Sequence, residues 1–350
     1  MRTMKTHGYA ALKPGSELHP FDFERRALRS DDVALEVHYC GVCHTDLHLA
    51  RNDWGFSRYP LVPGHEIVGR VIEVGSAVTR HRVGDLVAIG VNVDSCGQCT
   101  HCKSGDETLC LEGSTLTYNG TDRVSGEVTY GGYPKHLVVK HRFALKVPAQ
   151  LDASKVGPLL CAGTTMWTPL KQWNAGPGTR VGIVGLGGLG HLGVKLAAAL
   201  GCEVTAITRS AAKSAEAKSL GARHTLVSTD AAAMKKHERA FDLVIDTIPV
   251  QHDLRPYVPL LDIDATLVAV GAITMSAQLD MMPLTTHRRR VAAAGAGGTA
   301  PTQEMLDFCA EKNVLPETEL IGIEQLGAAF ERMERGDVRY RFVIDLATLR

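Results

Sequence analysis

Apolar positions along the chain change rhythm twice. Up to about residue 150, strand-length runs such as "VALEVHYC", "IVGRVIEVG", "DLVAIG" and "HLVV" are separated by Gly and Pro. Such runs predict short strands joined by turns, and so a β-rich domain. From about 153 to 290, short apolar runs ("RVGIVG", "CEVTAIT", "FDLVIDTI", "ATLVAVGA") alternate with Ala-rich stretches of helical character ("HLGVKLAAALG", "AAKSAEAKSLGA"). That alternation predicts βαβ units and a parallel sheet. After residue 291 a helix over "TQEMLDFCAEKN" and a closing strand over "RYRFVIDL" return to a mixed texture. No fixed-period repeat or low-complexity tail interrupts this plan. The expected fold class is α/β: a doubly wound parallel sheet at 153–290, inserted into a discontinuous β-rich domain formed by 1–152 and 291–350.

One of the strand-to-helix junctions carries chemistry. "VGIVGLGGLGHLGVKLAAALG" holds Gly185, Gly187 and Gly190 as G-x-G-x-x-G, with Gly188 and Leu189 between, after an apolar strand and before a helix. The first glycine permits the tight turn and the second lets a pyrophosphate approach the backbone. The third allows close strand–helix packing, and the helix N-terminus presents N–H groups to the anion. A glycine-rich turn without a ligand is the alternative; the flanking strand, helix and second strand favour a nucleotide site.

Composition narrows the rest. At 350 residues the length suits about two domains. Lys+Arg and Asp+Glu both number 38, so there is no electrostatic reason to expect a nucleic acid or an anionic membrane as partner. The opening "MRTMKTHGYAALKPG" lacks the apolar core of a secretory signal. The most membrane-like run is broken by His191 and Lys195 and crowded with glycine. A cytoplasmic protein is expected, where clustered cysteines mean metal or catalysis rather than disulfides.

Nine cysteines are present, and four of them, Cys96, Cys99, Cys102 and Cys110, fall in "DSCGQCTHCKSGDETLC". Four thiolates close a tetrahedral zinc shell, leaving no position for water or substrate, so the expected site is structural. Leu109 is the only aliphatic residue between Cys96 and Cys110. The lobe cannot order itself by burial, and zinc binding in small peptides is worth on the order of 10–16 kcal/mol. A C-x-x-C redox motif is the rival. A second constellation is scattered: Cys43, His44, Thr45, Asp46 and His48 in "CGVCHTDLH", His65 and Glu66 in "GHE", and Cys161 in "LLCAGTT". No single piece is diagnostic, but together they offer Cys, His and Cys, a ligand set of catalytic zinc with an open fourth position.

The ordered set "YCGVCHTDLH", "YPLVPGHEIVGRVIEVG", the four-cysteine lobe, "PLLCAGTT", "VGIVGLGGLGHLGVKLA" and "GDVRYRFVID" resembles the zinc-dependent medium-chain dehydrogenases over nearly the whole chain. The similarity is to the branch of cinnamyl alcohol dehydrogenases and bacterial broad-range aldehyde reductases. It implies a Rossmann domain within a GroES-like catalytic domain, two zinc ions per chain, and a homodimer acting on small alcohols and aldehydes. It also implies that Cys43, His65 and Cys161 ligate the catalytic zinc, with Glu66 beside it. Asp46 would orient His65. Thr45 and His48 resemble a proton relay running through the cofactor ribose, and His44 falls where the cofactor phosphates lie. Thr165 and the backbone around Val270 and Ala296 fall near the nicotinamide. The chain departs from the plant enzymes at "AAAGAGGTAP", where Gly295 and Ala296 replace a serine followed by a bulky residue. Trp54 and Trp167, near the two catalytic-zinc segments, are candidate pocket walls for an aromatic or medium-chain substrate, or else core aromatics.

Cofactor choice follows from the second strand. NAD sites place an acid about twenty residues past the glycine motif to bind the ribose 2′-OH. Here the segment reads "ITRSAAKS", with no acid until Glu216. Thr208, Arg209, Ser210 and Lys213 instead offer donors to a 2′-phosphate, so NADP(H) is expected. The competing readings are a zinc polyol or formaldehyde dehydrogenase using NAD, a zinc-free quinone reductase, which leaves Cys43, His65 and Cys161 unexplained, and a nucleic-acid-binding zinc ribbon, which the neutral charge disfavours.

Overall fold

The computed structural model describes residues 3–271 and 279–349. The chain forms two compact units, Met1–Cys161 with Gly297–Arg350, and Ala162–Ala296.

In the second unit, six parallel strands lie in the order His224–Val227, Glu203–Thr208, Arg180–Val184, Phe241–Asp246, Leu261–Ala269, Arg290–Ala293. Numbered along the chain this is 3-2-1-4-5-6, the order that reverses direction beside the first strand. The central strands are continuous apolar runs because helices cover both faces. Val184, Ile207, Val244 and Leu267 are core residues. The first crossover is the helix Gly190–Ala199. The stretch "AAKSAEAKSLGA" is not one helix: a 3-10 turn at Ala211–Lys213 precedes a short helix, Ser214–Ser219. Ser210 causes the offset, its hydroxyl accepting from the Ala212 N–H at 3.2 Å and so capping the turn.

The first unit is built on a seven-stranded sheet. Its path runs Thr318–Gly322, Arg341–Asp345, Asp32–Gly41, Ile67–Val74, Leu86–Ile89, Leu145–Lys146, with His136–Lys140 also paired to Asp32–Gly41. Val33, Leu35, Val37, Ile67, Val87 and Phe342 fill its core. A hairpin, Met4–Ala11 with Leu18–Arg25, and a two-stranded ribbon, Asn92–Asp94 with Thr115–Leu116, complete it.

The unit boundaries differ from the expected 152 and 290. The helix Ala153–Val156 and the 3-10 turn Gly157–Leu160 stay with the β-rich unit. Gly157 lies flat on it: a Cβ there would sit 2.8 Å from the Glu66 carbonyl and 3.1 Å from the Gly41 nitrogen. At the other end, Arg290–Ala293 is the sixth strand of the parallel sheet, which carries that unit on to Ala296. Among the described residues no helix is long and apolar enough to cross a membrane.

Candidate functional site

Strand Asp32–Gly41 feeds directly into the helix His44–Arg51, and Cys43 is its N-cap. Asp46, at the third helical position, reaches back to accept from the Cys43 N–H at 2.8 Å. The same carboxylate accepts from Tyr118 Oη at 2.7 Å, Tyr133 Oη at 3.1 Å and the Gly64 N–H at 3.3 Å, and lies 3.5 Å from His65 Nδ1. Asp46 is 0% exposed. It fixes the helix start and the imidazole together. His65 stacks on Tyr118, ring centres 5.6 Å apart. Burial opposes a charge on His65, but its bonds to Asp46 and Cys43 prevail and raise its pKa.

Cys43, His65, Glu66 and Cys161 bring one donor atom each to within 4.8 Å of one another. The two sulfurs are 3.9 Å apart. A tetrahedral zinc with Zn–S near 2.3 Å needs about 3.8 Å between thiolates, so this donor set fits zinc. Their mutual hydrogen bond pulls the Cys43 thiol down and pushes Cys161 up. Glu66 Oε1 pairs with Arg341, whereas Oε2 is buried with no hydrogen-bond partner among the described residues, an acceptor left open beside the donor cluster. Burial pushes the Glu66 carboxyl up to about 7, against the pull of Arg341. Sequence reasoning missed Arg341, Tyr118 and Tyr133. A lone arginine in the apolar strand "RFVID" was a signal; the tyrosines, far away along the chain, gave none.

Thr45 and His48 share the helix His44–Arg51, which His44 opens. Thr45 Oγ1 is 3.6 Å from Cys43 Sγ. His48 Nδ1 lies 2.8 Å from Asp53 Oδ2, and its ring lies 5.3 Å from that of Trp54, which in turn stacks on Phe56.

Cys96, Cys99, Cys102 and Cys110 also place their sulfurs within 4.8 Å of one another. Backbone N–H groups point at them: Cys99 N to Cys96 Sγ and Cys96 N to Cys110 Sγ, both at 3.4 Å. Backbone hydrogen bonds, from Leu111 first and then Cys102, hold the Cys99 thiol down to about 6. Donors arranged around thiolates suit a closed zinc shell.

The glycine turn is cradle-shaped. Gly185 has φ +89°, open to glycine at low cost. A Cβ on Gly190 would overlap the Gly185 carbonyl, so strand and helix meet only because it is absent. At Gly187 nothing lies within 4 Å of where a Cβ would be, the open approach that a pyrophosphate requires. Gly188 and Leu189 complete the turn into the helix Gly190–Ala199. At the end of strand Glu203–Thr208, Thr208 Oγ1 donates to the Ser210 carbonyl at 2.8 Å, and Arg209 and Ser210 are exposed. Lys213 Nζ donates to the Leu186 carbonyl at 3.2 Å, so this cation already sits on the glycine turn.

Thr165 lies in the helix Ala162–Gln172, Val270 follows strand Leu261–Ala269, and Gly295 and Ala296 follow Arg290–Ala293. Trp167 is not a pocket wall. It is 1% exposed, with the Lys171 ammonium 5.4 Å from its ring centre. Trp54 keeps part of its surface.

The alcohol dehydrogenase GroES-like domain family matches residues 29–149, and the zinc-binding dehydrogenase family matches 188–311. The chain is 46% identical over 326 residues to a probable formaldehyde dehydrogenase of Bacillus subtilis, covering 93% of each protein. It is 44% identical over 343 residues to an NADP-dependent alcohol dehydrogenase of Mycolicibacterium smegmatis, covering 98% of each. Its structure is similar to that of a cinnamyl alcohol dehydrogenase from Sorghum bicolor, with a TM-score of 0.94, 43% identity and 98% of each chain covered. With its two cysteine-containing donor clusters and its glycine turn on a doubly wound sheet, the chain belongs to the zinc-binding alcohol dehydrogenase family.

Proposed function

We propose that this protein interconverts primary alcohols and aldehydes by hydride transfer with NADP(H). The observation that carries the reading is the buried cluster of Cys43, His65, Cys161 and Glu66, whose donor atoms and spacing suit a zinc ion. When bound, zinc polarises the substrate oxygen and the nicotinamide exchanges hydride with the substrate carbon. The chain's own residues do the rest. Asp46 keeps His65 oriented. Thr45 Oγ1 would accept the hydroxyl proton while giving up its own toward His48, which Asp53 holds and which would release a proton to solvent. Trp54 and Phe56 offer an apolar wall suited to aromatic or medium-chain tails. Cys96, Cys99, Cys102 and Cys110 would hold a second, structural zinc.

Arg209, Ser210 and Lys213 support NADP(H) over NAD(H). Hydrogen bonds to a charged group contribute about 1.5–3 kcal/mol each, so losing one weakens NADPH binding roughly ten- to a hundredfold. The Bacillus relative favours formaldehyde as a second reading for substrate. A reducing cytoplasm suits the thiolate-rich lobe. Among the described residues, strand Arg290–Ala293 pairs only with Leu261–Ala269, a sheet edge that suits a homodimer.

The test is a panel of benzylic, cinnamyl, medium-chain, formaldehyde and polyol substrates with both cofactors. NADPH-dependent reduction of apolar aldehydes is expected, with Arg209→Asp moving preference toward NADH. Comparable kcat/KM for the two cofactors would refute the 2′-phosphate assignment, and a preference for polyols would overturn the substrate class.

A further inference from the structure

The four-cysteine lobe has a second set of bonds that its metal shell does not explain. The helix Thr299–Lys312 starts after Gly298, which has no side chain to cap it. A helix start leaves N–H groups that need acceptors. Here the lobe supplies them from far back in the chain. The Gly298 N–H donates to Asp106 Oδ1 at 3.0 Å, Thr299 N–H to Glu107 Oε2 at 2.8 Å and Ala300 N–H to the Gly105 carbonyl at 2.9 Å. Thr299 Oγ1 adds a bond to Glu107 Oε1 at 2.9 Å.

The contact is built for closeness. A Cβ on Gly298 would stand 2.5 Å from both Asp106 Cα and Glu107 N. Glu107 is 2% exposed and is tied to the cysteines through Arg142, whose Nη2 donates to Glu107 Oε1 at 2.9 Å and to the Cys102 carbonyl at 3.4 Å. A Cβ on Gly97 would meet Arg142 Nη1 at 2.8 Å, so the guanidinium is seated within the lobe. The first capped residue, Gly298, ends the run "AGAGG", Ala294 to Gly298. So small and glycine-rich a segment has little stiffness of its own, and its position depends on what holds its ends.

We propose that the four-cysteine lobe is a positioning device for the Gly295–Gly298 segment: through Gly105, Asp106 and Glu107 it fixes where the chain enters the helix Thr299–Lys312, and so sets the KM of the enzyme. Glu107 and Thr299 are positioning residues in this scheme. The KM part rests on the reading of Gly295 and Ala296 as neighbours of the nicotinamide.

The experiment compares the zinc-loaded parent with Thr299→Val, its conservative partner Thr299→Ser, and Glu107→Ala. Two quantities are followed: hydrogen exchange of the amides of residues 294–302, and kcat and KM for NADPH and an aldehyde. In Thr299→Val and Glu107→Ala these amides should exchange at least about tenfold faster, as expected when a cap opens locally. KM should rise severalfold to about tenfold, the effect of one lost hydrogen bond, while kcat stays within about twofold. Thr299→Ser should restore both. Unchanged exchange would overturn the cap. Faster exchange with unchanged KM would overturn the positioning role while leaving the hydride chemistry standing. Should Glu107→Ala fail to fold, the Thr299 pair still decides. A parent enzyme without alcohol or aldehyde turnover, by contrast, would refute the proposed function and leave the exchange test of the cap intact.

Discussion

Asp46 is a buried carboxylate with five donors around it, and Tyr118 and Tyr133 supply two of them. Groups that orient a metal-binding histidine typically account for 10–100-fold in metal affinity. Tyr118→Phe and Tyr133→Phe should each fold and lose the Cys43–His65–Cys161 metal more readily, by roughly tenfold or more in chelator competition; parent-like retention in both would show that Asp46 needs neither hydroxyl. Away from this site, Asp122 binds Arg29 Nη2 at 2.8 Å across 93 residues of chain. Partial burial pushes its carboxyl up, but Arg29 and the N–H groups of Ser125 and Val124 outweigh it and hold it well below its ordinary 3.8. A depressed folded-state pKa means stability that is present at neutral pH and lost as pH falls below about 4. Asp122→Asn should therefore lower Tm at neutral pH and flatten its fall in acid. Parallel Tm–pH curves for variant and parent would remove Asp122 from that account.

At the scale of elements, the strand–turn–helix around Gly185, Gly187 and Gly190 separates two uses of glycine. Gly190 has the Gly185 carbonyl where a Cβ would go, whereas Gly187 has open space. Gly190→Ala should force strand and helix apart and cost about 1–3 kcal/mol of stability, as overpacking does. Gly187→Ala should keep the parent Tm but weaken NADPH binding in a fluorescence titration, because the methyl stands where the pyrophosphate would approach. Equal loss of stability in both variants would contradict this division. The spacing G-x-G-x-x-G made the turn legible in the sequence, since each glycine answers a local steric demand. The 3-10 break at Ala211–Lys213 was not legible: it depends on whether Ser210 caps the turn or faces solvent.

Over the whole molecule, two donor clusters lie in one β-rich unit but are made differently. Cys96, Cys99, Cys102 and Cys110 come from one short lobe, whereas Cys43, His65 and Cys161 come from a helix start, the loop before strand Ile67–Val74, and the last residue of that unit's first chain segment. A lobe with almost no apolar filling depends on its metal to fold. Cys99→Ser should lower Tm and leave one zinc per chain by elemental analysis. Cys43→Ser should keep Tm near the parent and abolish turnover. Fewer than two zinc ions in fresh, active parent protein would contradict both.

The sequence by itself determined what depends on neighbours along the chain: the βαβ alternation, the glycine turn, the four-cysteine spacing, and the absence of an acid after strand Glu203–Thr208. Periodicity, backbone sterics and short ligand spacings are local physics, readable without coordinates. Tertiary structure alone decided what depends on distant residues meeting. It buried Trp167, which the sequence left as a candidate pocket wall, and paired Arg341 with Glu66 across 275 positions. It gathered Tyr118 and Tyr133 around Asp46, and set Glu107 against Thr299, 192 residues away. A buried polar group must find partners wherever the fold brings them, and sequence separation carries no record of that meeting.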